Sequence, residues 1–113
     1  MNLQDLVNKT VTGYEINSSK DMLTLKTTEG DFALDATGDC CSTSWFETVD
    51  MPSLPFKIVG VAEVPMGEVV ERTEYNMIEK YSLKLITDKG HVDLEYRNES
   101  NGYYGGYVEL RKV

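Results

Sequence analysis

The chain is short of the residues that lock small proteins together or do chemistry on their own. It has two cysteines, and they are neighbours, Cys40-Cys41. Adjacent cysteines cannot staple distant segments, so no disulfide framework is available. The N-terminus, Met1-Asn2-Leu3-Gln4-Asp5, carries neither a basic stretch nor an apolar one. Both observations lead us to expect a cytoplasmic protein without a secretory signal. There is one histidine, His91, and one tryptophan, Trp45. Two thiols and one imidazole do not make a four-ligand zinc site within one chain, and neither a metal nor a cofactor is expected. Phosphate loop, dinucleotide fingerprint, zinc-protease helix and nucleophile elbow are all missing. No apolar run approaches the ~20 residues of a membrane span, so no membrane contact is expected. Positive charge is scarce too: 11 Lys and Arg stand against 19 Asp and Glu, a formal net charge of -8. Phosphate backbones repel such a surface, which argues against direct nucleic-acid binding.

What the chain does have is alternation. Its 113 residues, 41% hydrophobic and 27% charged, suit one globular domain with a modest core over residues 1–113. Alternating apolar residues dominate, and strands are expected at Val11 to Ile16, Met22 to Thr28, Phe32 to Ala36, Phe56 to Val64 (rich in β-branched residues), Ile78 to Thr87, Val92 to Tyr96 and Gly106 to Lys112. Period two is the signature of half-buried strands. The reading is a mainly β protein of six or seven strands, a single antiparallel twisted sheet or a small barrel. Two helical pieces complete it. Ser44-Trp45-Phe46-Glu47 fits a capping box and predicts a short helix near residues 44–50, stopped by Pro52 and Pro55. Met1 to Asn8 predicts a further helical turn with Leu3, Leu6 and Val7 as its apolar face. Residues 65–76 lack clean periodicity and read as a connecting loop.

An internal repeat runs through this pattern. Residues 23–35 and 83–95 align without a gap, with Leu23/Leu83, Leu25/Leu85, Thr27/Thr87, Gly30/Gly90 and Leu34/Leu94 identical. Any hairpin wants alternating leucines and a turn glycine, so convergence competes with duplication as the cause. If the chain is duplicated, units of about 22–46 and 82–106 are related by a pseudo-two-fold axis. Each second strand of a hairpin is followed by a run of unusual composition. The first runs from Gly38 through Asp39, Cys40, Cys41, Ser42, Ser44 and Trp45 to Phe46; the second runs from Asn98 through Asn101, Tyr103 and Tyr104 to Tyr107. Equivalent runs are expected at one end or edge of the sheet.

These runs carry the candidate binding residues: Asp39, Cys40, Cys41, Ser42, Trp45, Asn101, Tyr103 and Tyr104. Tyrosine offers rigid contact area and a hydroxyl, and turn glycines allow close backbone approach. Asp39, Ser42 and Asn101 could orient a polar ligand. Architecture competes with function at each position, since buried thiols and folded-back aromatics also explain them. His91 opens a strand just after a turn glycine, at the wrong end to pair with Cys40 or Cys41 as a nucleophilic dyad.

Gly38-Asp39-Cys40-Cys41-Ser42 with Ser44-Trp45, and Tyr96-Arg97-Asn98 with Ser100 through Gly106, resemble a family of small uncharacterised proteins found mainly in bacteriophages and prophages. The resemblance covers about Met22 to Leu110. It implies a phage-type origin and a shared β-rich fold. It implies no activity, because that family is a domain of unknown function. No acid–base pair, activated nucleophile or metal constellation stands out among the residues, so the expectation is a non-enzymatic, small acidic binding protein, an inhibitor or sequestering protein acting on host machinery. Its partner is expected to be a host protein with a basic surface, or a small polar molecule; a homo-oligomer stays open. The acid is uneven, with three basic and nine acidic side chains in residues 1–56, which suits docking on a basic partner. The alternatives are a virion structural or assembly accessory protein, and a cysteine-dependent enzyme built on Cys40 or Cys41.

Overall fold

Alternation becomes strands wherever one face can be buried. The computed structural model describes residues 1–38, 42–63, 67–101 and 105–113. Within them run nine strands: β1 (Thr10–Ile16), β2 (Met22–Thr27), β3 (Gly30–Gly38), β4 (Thr43–Asp50), β5 (Phe56–Glu63), β6 (Glu68–Arg72), β7 (Met77–Thr87), β8 (Gly90–Ser100) and β9 (Gly106–Lys112). All pair antiparallel in one open sheet, in the order β4-β8-β7-β5-β1-β2-β3-β9, with β6 added on β7. The β-rich, antiparallel reading of the sequence holds.

The sheet folds over its own inner face. Leu23 and Leu25 of β2, Phe32 and Leu34 of β3, Leu83 and Leu85 of β7, and Val92 and Leu94 of β8 point into one continuous core. Each alternates with outward residues such as Lys84 and Asp93. Full burial of such a side chain is worth ~1.5–3 kcal/mol, so a one-residue slip that turned these faces outward would be prohibitive. The terminal strands of the order come back towards each other: β4 lies against β3 and β9, and the Ser44 hydroxyl donates to the Thr37 carbonyl at 2.7 Å.

Three local expectations are corrected. Residues 44–50 are not a helix; they are β4. Phe46 and Ser44 are buried, and past a bulge at Glu47 Val49 returns to the core side. Strand β8 supplies the backbone partners from Thr43↔Glu99 to Asp50↔Asp93. A capping box is a four-residue pattern, and a neighbouring strand that satisfies the whole segment overrides it. Glu47 accepts the Trp45 indole N–H at 2.8 Å instead of reaching back to Ser44. Residues 65–76 are not all loop, because Glu68–Arg72 form β6 along β7. The N-terminal turn exists as a short 3-10 turn over Leu3–Leu6, capped reciprocally by Asn2 and Asp5, with Leu6 driven into the core. Nine strands stand in place of six or seven.

Candidate functional site

Among the described residues, polar chemistry gathers at two main places. The first is the end of the sheet from which both unusual runs depart. Gly38 at the end of β3 pairs with Gly106 at the start of β9, and Thr43 at the start of β4 pairs with Glu99 near the end of β8. Ser42, Ser44, Asn98, Ser100, Asn101 and Gly105 lie around this end. Asn98 is fully buried. Its Nδ2 donates to the Ser44 hydroxyl at 2.9 Å, while its Oδ1 has no hydrogen-bond partner among the described residues. Glycine is required on the facing strands. A Cβ on Gly38 would stand 2.6 Å from Asn98 Nδ2 and would also collide with the Ser42 hydroxyl; one on Gly106 would stand 2.8 Å from Asn98 Cβ. Behind this polar node the Tyr81 and Tyr96 rings stack at 5.1 Å with Phe46 edge-on to Tyr96. Burial, then Glu63, then Tyr81 push the Tyr96 phenol up to about 12. The Tyr81 hydroxyl accepts from the Gly106 N–H at 3.3 Å and donates to Glu79 at 3.5 Å.

Of the residues picked out from the sequence, Ser42 and Asn101 flank this end, Asn101 exposed. Trp45 does not face it. Ser44 and Phe46 point inward, so Trp45 lies half-buried on the outer face, in register with Arg97. Asp39, Cys40, Cys41, Tyr103 and Tyr104 lie outside the described residues. His91 is exposed at the hairpin end of β8, nine pairs along the β7–β8 ladder from Ser100.

The second place is the outer face of β4, β8 and β7, which the sequence reading did not single out. Here the sheet forms an open groove of about 590 Å³, bordered by Thr48, Glu63, Ser82, Lys84, Asp93 and Glu95. Lys84, Asp93 and Glu95 line it from outward positions of β7 and β8, and Glu63 borders it from the end of β5, in register with Leu83. Lys84 pairs with Asp93 at 3.5 Å, and Glu95 with Arg97 at 2.9 Å. The second pair links the groove to Trp45, whose strand partner is Arg97. The sequence did hold a signal: Lys84, Asp93 and Glu95 are outward positions of two strands paired across one hairpin. Strand periodicity marks such positions as exposed and says nothing of concavity.

Residues 4–110 match a domain of unknown function, DUF7448. The chain belongs to the DUF7448 family. No curated protein and no solved structure matches it. In this DUF7448 chain no helix among the described residues is long and apolar enough to cross a membrane.

Proposed function

We propose that this DUF7448 chain is a non-enzymatic, phage-type binding protein that docks a basic surface of a host protein on the outer face of β4, β8 and β7. The groove carries the reading: Glu63, Asp93 and Glu95 line it against one basic residue, Lys84. Charge across the strands around it agrees. Residues 42–63 and 67–101 hold six Lys and Arg against eleven Asp and Glu. Trp45 supplies a rigid aromatic contact beside the acidic rim, the kind of residue that dominates interface energetics. Acidic rim charges act chiefly on encounter and on salt dependence.

The test uses the full chain and a lysine- and arginine-rich peptide. Binding that weakens steeply between 50 and 300 mM salt, and that falls about tenfold on Glu63→Gln with Asp93→Asn and Glu95→Gln (~1–2 kcal/mol for three rim charges), supports the reading. Undetectable or salt-indifferent binding sinks it. The cysteine-dependent alternative is separated by alkylation with iodoacetamide. A non-enzymatic chain reacts at the rate of an ordinary thiol of pKa near 8.5.

A further inference from the structure

The strand order reads the same from both ends once β1 is matched with β5, β2 with β7, β3 with β8 and β4 with β9. We infer that the chain is a duplicated four-stranded unit whose halves exchange their last strands, and that the edges receiving those strands, β3 and β8, can equally take them from a second copy of the chain.

The match extends to single hydrogen bonds. At the centre of the sheet Thr10 pairs with Lys57, a pair that maps onto itself. The Thr28 N–H donates to the Thr10 carbonyl at 3.2 Å, and the Asp88 N–H donates to the Lys57 carbonyl at 3.1 Å. The β1–β2 register breaks between Val11 and Gly13, and the β5–β7 register between Ile58 and Gly60, so the same bulge carries a glycine in each half. In the first hairpin the Thr27 hydroxyl donates to the Gly30 carbonyl at 2.6 Å and accepts the Glu29 N–H at 3.1 Å. In the second, Thr87 does the same with Gly90 at 2.5 Å and with the Lys89 N–H at 3.1 Å. Gly30 and Gly90 have φ of +108° and +116°. Convergence on a stable hairpin explains the turns; it does not explain paired bulges and paired bonds outside them.

Exchange follows from connectivity. Strand β4 leaves its own half to pair with β8, and β9 leaves the other half to pair with β3. Phe46↔Tyr96 in one junction corresponds to Ala36↔Val108 in the other, all four side chains buried. Within the two unusual runs, residues 39–42 and 101–105 join each half to its exchanged strand. Equivalent positions meet where the strands cross: Gly38 lies against Asn98, and Gly106 against Ser44. One member of each pair is glycine, because two side chains would need the same space. Only residues 51–55 join the end of β4 to the start of β5. An element that already pairs with a foreign half within one chain needs no new contacts to pair between two.

The experiment shortens that connection and marks the junction. In a Cys40→Ser, Cys41→Ser background, Thr37→Cys and Tyr107→Cys face each other across β3 and β9. Deleting residues 52–54 is expected to give a dimer by light scattering, with an unchanged far-ultraviolet dichroism spectrum and a disulfide between chains on a non-reducing gel. A monomer with the disulfide inside one chain overturns the inference. If the shortened chain does not fold, the full-length pair variant is refolded at high protein concentration instead. Some interchain-linked dimer is then expected, and its absence is contradictory.

Discussion

At the scale of single residues, the buried polar end is held by close contacts that leave little slack. Gly106→Ala places a methyl 2.8 Å from Asn98 Cβ and 3.0 Å from the Ser44 hydroxyl. Neither neighbour is the free end of a flexible chain, so a loss of about 1–3 kcal/mol is expected, measured by urea unfolding. Tyr96 makes a pH-dependent contribution with a definite sign. Its phenol is pushed up to about 12 from an ordinary value of 10.0. Below the ordinary value both folded and unfolded chains keep the proton. Above it the unfolded chain releases the proton while the folded chain holds it. Stability is therefore complete below that value and is lost as pH rises towards the folded one. Between pH 9 and pH 11 the wild type is expected to lose about 1 kcal/mol more than Tyr96→Phe. Equal losses would remove Tyr96 from the account.

At the scale of elements, β4 separates what was legible from what was not. The hairpins β2–β3 and β7–β8 could be read directly, because Leu23, Leu25, Leu83 and Leu85 alternate and Gly30 and Gly90 mark the turns. Strand β4 could not, because Ser44 and Glu47 imitate a helix start and the strand that decides the matter, β8, lies about fifty residues away in sequence. Strand β6 escaped for a different reason: all five of its residues are exposed, so it has no buried periodicity to detect. The flanks of the unusual runs were placed at one end by the repeat pattern. The groove was not, since its walls come from β4, β5, β7 and β8 together. Ser44→Ala tests β4 as a strand. A lost helix cap would lower stability by ~1 kcal/mol and leave Asn98 untouched. In the strand, the same change strips a partner from both the Thr37 carbonyl and Asn98 Nδ2. The expected loss is about 2–3 kcal/mol, with faster hydrogen exchange of the Asn98 side-chain amide.

For the whole molecule, folding redistributes charge that the sequence presents differently. By sequence the acid concentrates in residues 1–56. In space β4 takes Glu47 and Asp50 to the side of β7 and β8, while β9 takes Arg111 to β3, where it pairs with Asp35 at 2.7 Å. The acidic excess and Trp45 therefore share the outer face of β4, β8 and β7. Where a basic partner sits on the sheet tests this most directly. Full-length, nitrogen-15-labelled protein titrated with a lysine- and arginine-rich peptide is predicted to shift the amides of Thr48, Ser82, Lys84, Asp93 and Glu95 and the indole N–H of Trp45, leaving the outer positions of β2, β3 and β9 unmoved. Shifts confined to β2, β3 and β9, or none at saturating peptide, would contradict it.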